Sequence, residues 1–327
     1  MVQWKDNPRR MLVLMVLLLV LLLGSQWVQG RSSARGSRHL GRGQRDLQPL
    51  QEIRLAIILP QINTVYPWAW PRVGPAVERA IQTINADSAL LPNHRLTYSF
   101  KNSENKDGIC CESLSALAAM DFKYLYDPWV FIGPGCSYAS SPVGSYTSLW
   151  SIPMVTAGAS AVAFSNLPSI TNTGPTHKKL GKFVLRVCEK FGWQNQVMLL
   201  FNDNKVDDRP CYFAIEGLYT ELDNATFLVQ ERVFRENQPP LNYSEIISDI
   251  QQLGRVVFTC CSPDVFRKIM VKFRQAGLAM EEYVFLFIDV FGESLINNHR
   301  QPWARGDSDD HIAMEAYQVT MASWRSL

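Results

Sequence analysis

From Ile53 onward, short and nearly continuous apolar runs alternate with amphipathic stretches, and this alternation limits the fold more than any other feature of the chain. "IRLAIILP" (53–60) reads as a buried strand stopped by proline. "VGPAVERAIQTIN" (73–85) follows at helical spacing, with Val73, Val77, Ile81 and Ile84 on one face. "LTYSF" (96–100) alternates like a strand, and the stretch from Cys111 to Tyr126 is helical. "WVFIG" is a third strand, "YASSPVGSYTSLW" a short helix and "IPMVTA" (152–157) a fourth strand. A polar stretch from Ser165 to Thr176 breaks the rhythm, which then restarts. Helices over 177–192, 211–222, 243–253 and 263–277 alternate with strands over 196–201, 227–233, 255–260 and 283–289. Such alternation predicts parallel sheets covered on both faces by helices. Two units joined near 160–176 predict a bilobed α/β protein with a cleft; one larger doubly wound sheet is the alternative. After Asp289 the text turns polar and ends in the amphipathic "IAMEAYQVTMASW", with no further strand expected.

The first residues carry a different message. Lys5, Arg9 and Arg10 precede an unbroken apolar run from Met11 to Leu23, with small residues at Gly24, Ser25 and Gly30. This is the three-part pattern of a secretory signal, expected over 1–30; an uncleaved anchor is the alternative. The formal net charge of the chain is +2, and Lys5, Arg9 and Arg10 less Asp6 supply all of it. Five arginines between Arg31 and Arg45 sit among Ser and Gly, and residues 31–52 read as a flexible basic arm without a nucleic-acid role. Seven cysteines follow: Cys110, Cys111, Cys136, Cys188, Cys211, Cys260 and Cys261. In an oxidising compartment several pair, and the odd count leaves one free or bridging chains. The sequons at Asn224 and Asn242 agree with glycosylation in the secretory pathway.

Searches for catalytic chemistry return nothing. The loop "GPGCSYASSPVG" (133–144) follows a strand, as phosphate cradles do. It carries Tyr138 where a dinucleotide fingerprint needs its third glycine, and no Gly-Lys-Ser/Thr follows. Pro134 also removes a backbone N–H that a cradle would use. The five histidines have no metal-ligand spacing, and neither a nucleophile elbow nor a C-x-x-C is present. Cys136 stands instead at the end of a strand, on the rim where open sheets place ligands. A disulfide there would tie the loop to "SENKDGIC" (103–110), and the N–H groups of Gly135 and Cys136 are placed to hold a small anion.

The segments "TVYPWAWPRVGPAVERA", "SEN…GIC", "GPGCSYA", "PMVTAGA", "CYFAIEGL", "CSPDVFRKIM", "YVFLFIDVFGESL" and "PWARGD" resemble the extracellular hormone-binding domain of the natriuretic peptide receptors, in order, from about Arg54 to Thr320. The chain is most similar to the A-type receptor guanylate cyclase. The resemblance implies a bilobed fold of the type I periplasmic-binding-protein kind and disulfides Cys110–Cys136 and Cys211–Cys260. With Cys111 and Cys261 adjacent to paired cysteines, a shift by one position stays open, and Cys188 is expected as a buried thiol. It also implies a chloride ion held by Ser103, Gly135 and Cys136.

By the same resemblance a cyclic, arginine-bearing peptide hormone binds between two receptor chains. Glu112 would meet a hormone guanidinium, Tyr138 would add an aromatic wall, and Tyr212, Phe213, Ile215, Glu216 and Phe234 would form an apolar pocket with an acidic rim. The competing reading places Tyr212, Phe213 and Ile215 in a helix core. Adjacent Tyr212 and Phe213 point about 100° apart, which leaves one of them exposed. Relatives usually carry arginine where this chain has Ser145. Homodimer contacts are expected from first-lobe helices around Lys123 and Trp150. The expected domains are a first lobe over 53–158, a second over 159–290, and a polar segment with a return helix over 291–327. Relatives continue through a return to the first lobe, a membrane crossing and guanylate cyclase domains. The chain to Leu327 holds no cyclase residues and is expected not to make cyclic GMP. It is also expected to lack the strands that complete its first lobe, as a splice form or fragment would. A clearance-type receptor and a soluble small-molecule-binding protein of the same fold are the alternatives.

Overall fold

A computed structural model describes residues 50–205, 208–225, 227–238, 240–290 and 301–325. The expected signal peptide (1–30) and nearly all of the expected basic arm (31–52) lie outside the described residues, as does the side chain of Asn224.

Two five-stranded parallel sheets form two units. The first contains β1 (Gln51–Leu59), β2 (His94–Asn102), β3 (Val130–Ile132), β4 (Met154–Thr156) and β5 (Ile170–Asn172), in the order β2-β1-β3-β4-β5. Its crossovers are α1 (Trp70–Ala86), α2 (Glu112–Asp121) and α3 (Ser137–Trp150). Strand β1 is buried on both faces. Ile53 and Leu55 pack with Ile81 and Ile84 of α1, whereas Ala56 and Ile58 pack with Ala118 of α2 and Val143 of α3. A strand that feeds both faces must be apolar throughout, which is why 53–59 shows no alternation.

The second sheet contains β6 (Val197–Asn202), β7 (Val229–Phe234), β8 (Val256–Cys260), β9 (Val284–Asp289) and β10 (Thr320–Arg325), in the order β10-β9-β8-β6-β7. Helices α4 (His177–Phe191) and α5 (Pro210–Asn224) cover one face through Leu180, Val184, Ile215 and Leu218. Helices α6 (Tyr243–Leu253), α7 (Pro263–Gln275) and α8 (Asp310–Ala316) cover the other through Ile246, Ile250, Phe266 and Ala316. The architecture is therefore two doubly wound parallel sheets, and the single larger sheet is set aside.

Three expectations are corrected. The polar stretch 165–176 holds β5, which pairs Met154 with Ile170, so the first sheet runs past the expected boundary at 158. A half-exposed strand of three residues leaves no periodic signal. The helix expected over 111–126 ends as α2 at Asp121 and continues as a π turn to Tyr126, stopped by Asp127 at φ 47°. A further strand does follow Asp289, because β10 adds to β9 in parallel. Residues 303–310 ahead of β10 are held on α7 by charge. Buried Arg267 donates to the Trp303 carbonyl and to Asp307 and Asp310, and Arg305 pairs with Asp264.

Helices α4 and α5 meet backbone to backbone. A Cβ on Gly181 would stand 2.0 Å from the Gly217 carbonyl oxygen, and one on Gly217 would stand 2.4 Å from that of His177. Because the obstructing atoms are backbone, the helices would have to separate. Gly217→Ala is expected to lower unfolding stability by about 1–3 kcal/mol in denaturant titration, with no change in the slope against denaturant.

Candidate functional site

The site is built where β1, β2 and β3 end side by side. The turn after β1 is held by Glu104, whose buried carboxylate accepts from the N–H groups of Gln61 (2.8 Å), Ile62 (2.5 Å) and Asn63 (2.8 Å). That turn carries Tyr66 and Trp68, stacked with ring centroids 5.7 Å apart. The Cys110–Cys136 disulfide, with Cα atoms 6.3 Å apart, joins the segment after β2 to the one after β3. Trp68 lies so close to Gly135 that a Cβ there would meet its ring at 2.3 Å, so only glycine fits. Ser103 is fully buried, and its hydroxyl has no hydrogen-bond partner among the described residues. None of the hydrogen bonds among those residues uses the N–H of Gly135 or Cys136. An unsatisfied buried hydroxyl and two unused backbone donors, on segments joined by the Cys110–Cys136 disulfide, are groups that suit a small anion.

Across from this rim the second unit presents the start of α5, fixed to the end of β8 by the Cys211–Cys260 disulfide, with Cα atoms 5.4 Å apart. Both implied pairings are present, and neither shifts by one position. Cys111 is half-buried, and burial pushes the thiol of Cys188 up to about 11 and that of Cys261 well above its ordinary range. Before α5, Asp208 reaches over to the first unit and accepts from the N–H groups of Ser137 (2.9 Å) and Tyr138 (3.1 Å), the first two residues of α3. Arg209, at φ 50°, donates to both oxygens of Asp203 (2.6 and 2.7 Å) and to the Tyr138 hydroxyl (3.2 Å). Its guanidinium lies 3.8 Å from the centre of the Tyr212 ring, a cation–π contact. Phe213 meets Tyr138 and Tyr212 edge-on at 5.5 and 5.3 Å. Asp203, Asp208 and Arg209 were not found in the sequence, since charged residues in a loop carry no periodic signal.

The structure brings Tyr138, Tyr212 and Phe213 together, half-buried, with Glu216 one turn along α5; burial raises the Glu216 carboxyl above its ordinary value. Two expected members are corrected. Ile215 is 2 % exposed and belongs to the core between α5 and its sheet, because it points about 200° away from Phe213. Phe234 is 6 % exposed and packs in the core on the opposite face of that sheet. Glu112 stands exposed at the start of α2. Exposed Ser145 donates to the Ser141 carbonyl at 3.0 Å. Exposed Asn242 caps α6 by accepting from the Glu245 N–H.

Residues 72–322 match the family described as the receptor family ligand binding region. The chain belongs to this receptor ligand-binding family. Its relatives include atrial natriuretic peptide receptor 2 of Homo sapiens, 37 % identical over 249 residues covering 75 % of this chain and 23 % of the relative. The Bos taurus counterpart is 35 % identical over 281 residues, covering 83 % and 26 %. Atrial natriuretic peptide receptor 3 of Homo sapiens is 30 % identical over 285 residues, covering 85 % and 51 %. The chain thus spans about a quarter of the length of the type 2 receptors it matches and half of the type 3 receptor. A crystal structure of a leucine-binding protein from Thermotoga maritima superposes with a TM-score of 0.51 at 14 % identity over 81 % of each chain, a likeness of fold alone.

In this receptor domain a cavity of about 370 Å³ separates the two units, lined by Trp68, Ser160, Thr176, His177, Asp208 and Asp289. Among the described residues no helix is long and apolar enough to cross a membrane. Burial lowers the His177 imidazole from 6.5 to about 4, and a contact with the Phe213 backbone opposes this weakly. Its Nδ1 is buried without a partner among the described residues. A histidine kept neutral in the fold but free to protonate when unfolded holds its full stability above pH 6.5. That stability is lost as pH falls from 6.5 toward 4, by about 3 kcal/mol in all. Melting temperature is expected to drop over that window, and His177→Gln is expected to flatten the slope.

Proposed function

We propose that this chain is the extracellular peptide-hormone-binding domain of a natriuretic peptide receptor. The observation that carries the reading is the half-exposed aromatic cluster of Tyr138, Tyr212 and Phe213, with Glu216 beside it, drawn from both units. Rigid aromatic rings next to a carboxylate suit a peptide that presents apolar side chains and a guanidinium. Glu112, exposed at the start of α2, is available to the hormone or to a second receptor chain.

Chloride belongs to the same reading, held by Ser103, Gly135 and Cys136 below the cluster. A homodimer does too, and the support is an exposed apolar patch on α2, its π turn and the end of α3. Leu117 (62 % exposed), Tyr124, Leu125 (83 %) and Leu149 (81 %) form it. Lys123 pairs with Asp127 and Trp150 stacks inward on Phe131 and Tyr146, so their neighbours and not they themselves would make the contact. The localisation that follows is the secretory pathway, with Asn224 and Asn242 as glycosylation sites. The whole receptor would sit at the cell surface, and guanylate cyclase activity would reside in other parts of it. A clearance-type receptor fits the same domain, as the match to the type 3 receptor supports. A second reading, a small-molecule ligand between the units, is favoured by the cavity and the unpartnered Nδ1 of His177.

Binding of a labelled natriuretic peptide to the secreted chain tests the proposal. Phe213→Ala is expected to weaken binding at least tenfold, and replacing chloride by gluconate to abolish most of it. Peptide binding that survives Phe213→Ala, or no peptide binding by a folded chain, would contradict the proposal.

A further inference from the structure

Four consecutive backbone N–H groups, from Gly135 to Tyr138, lead into α3. The last two are occupied by Asp208, which comes from the second unit and is itself buried. The first two carry no hydrogen bond among the described residues and, together with the orphaned hydroxyl of Ser103, make up the proposed anion site. Four successive residues span at most about 11 Å even when extended. The Asp208 carboxylate and an anion on Gly135 and Cys136 would therefore lie within about one Debye length, in a partly buried place where salt screens little. Both are negative, and both draw on the same helix N-terminus.

We infer that Asp208 and Arg209 are positioning residues of the hormone-facing end of α3, and that the Asp208 charge sets the anion affinity of the turn before it. The inference rests on the proposed chloride site and extends it. Asp208 grips the backbone of Ser137 and Tyr138 while Arg209 grips the Tyr138 hydroxyl, so one dipeptide of the second unit fixes both ends of a residue in the first. Arg209 is held in turn by its two-pronged pair with Asp203 and by the Tyr212 ring. Repulsion between the carboxylate and the anion is mutual. An anion loosens the grip of the second unit on α3, and a tight grip disfavours the anion. The turn thus reports the contact between the units to the residue proposed to meet the hormone.

The test is chloride affinity, read by chloride NMR line broadening on the full chain, for wild type and Asp208→Asn. Asparagine keeps the shape and one acceptor but removes the charge. Affinity is expected to rise about tenfold. A residue with a merely structural role would give the opposite, since losing its support would loosen the site and weaken binding. Unchanged or weaker affinity in a folded Asp208→Asn protein overturns the inference. Asp208→Ser, which also removes the charge, carries the same expectation should the asparagine variant not fold. Chloride binding by the variant alone supports the inference. Chloride binding by neither protein removes the anion site, and the coupling falls with it, whereas equal binding by both leaves the site standing and refutes only the coupling.

Discussion

The Cys110–Cys136 disulfide joins the segments that follow two neighbouring strands of the first sheet, and the rim is arranged around it. Parallel strands all end at one edge of their sheet, so the loops that follow them gather there whatever their sequences. The crosslink turns that gathering into a fixed surface. Cys136 caps α3, which sets the direction in which Ser137 and Tyr138 present their N–H groups. Gly135, the residue before it, must be glycine because the Trp68 ring fills the place of its Cβ. On the other side, Glu104 holds the turn that brings Trp68 there. The position of the Gly135 and Cys136 backbone on the rim follows from these three constraints together.

The second unit meets this surface with charge. Asp208 and Arg209 form polar ties between the units at the start of α3, where their partners are a helix N-terminus and a phenol, and Asp203 of their own unit holds Arg209 in place. Polar ties of this kind are directional, and they are easier to exchange than an apolar interface. The Tyr212 ring lies against the Arg209 guanidinium, and Tyr138, Tyr212 and Phe213 around it remain half-buried.

Much of this fold was legible in the sequence because its strands are buried on both faces and its helices on one. Ile53 to Leu59 read as a strand through continuous apolarity, and α1 and α7 through their period. The short β5 was missed because Ile170, Thr171 and Asn172 have no pattern to show. Strand β10 was missed because the polar "PWARGDSDD" before it reads as an open loop, although Arg267 and Arg305 tie it to α7 by hydrogen bonds and ion pairs. At the site, the aromatic members Tyr138, Tyr212 and Phe213 were found through resemblance to relatives and are adjacent in the structure. Ile215 and Phe234 were assigned to the same surface and lie in two separate cores, since proximity in sequence to a site says nothing about which way a side chain points. Asp208 and Arg209 were invisible, as their partners lie some 70 residues away.

On the proposed function a peptide lies on the aromatic cluster at the junction of the units and not inside the cavity between them. Amide hydrogen exchange of the chain with and without a natriuretic peptide separates the two. A peptide on the cluster protects the start of α3 and the start of α5, residues 137–141 and 211–217, and leaves exchange at 173–176 and 288–290 unaltered. Protection confined to the cavity segments 173–176 and 288–290 would contradict it.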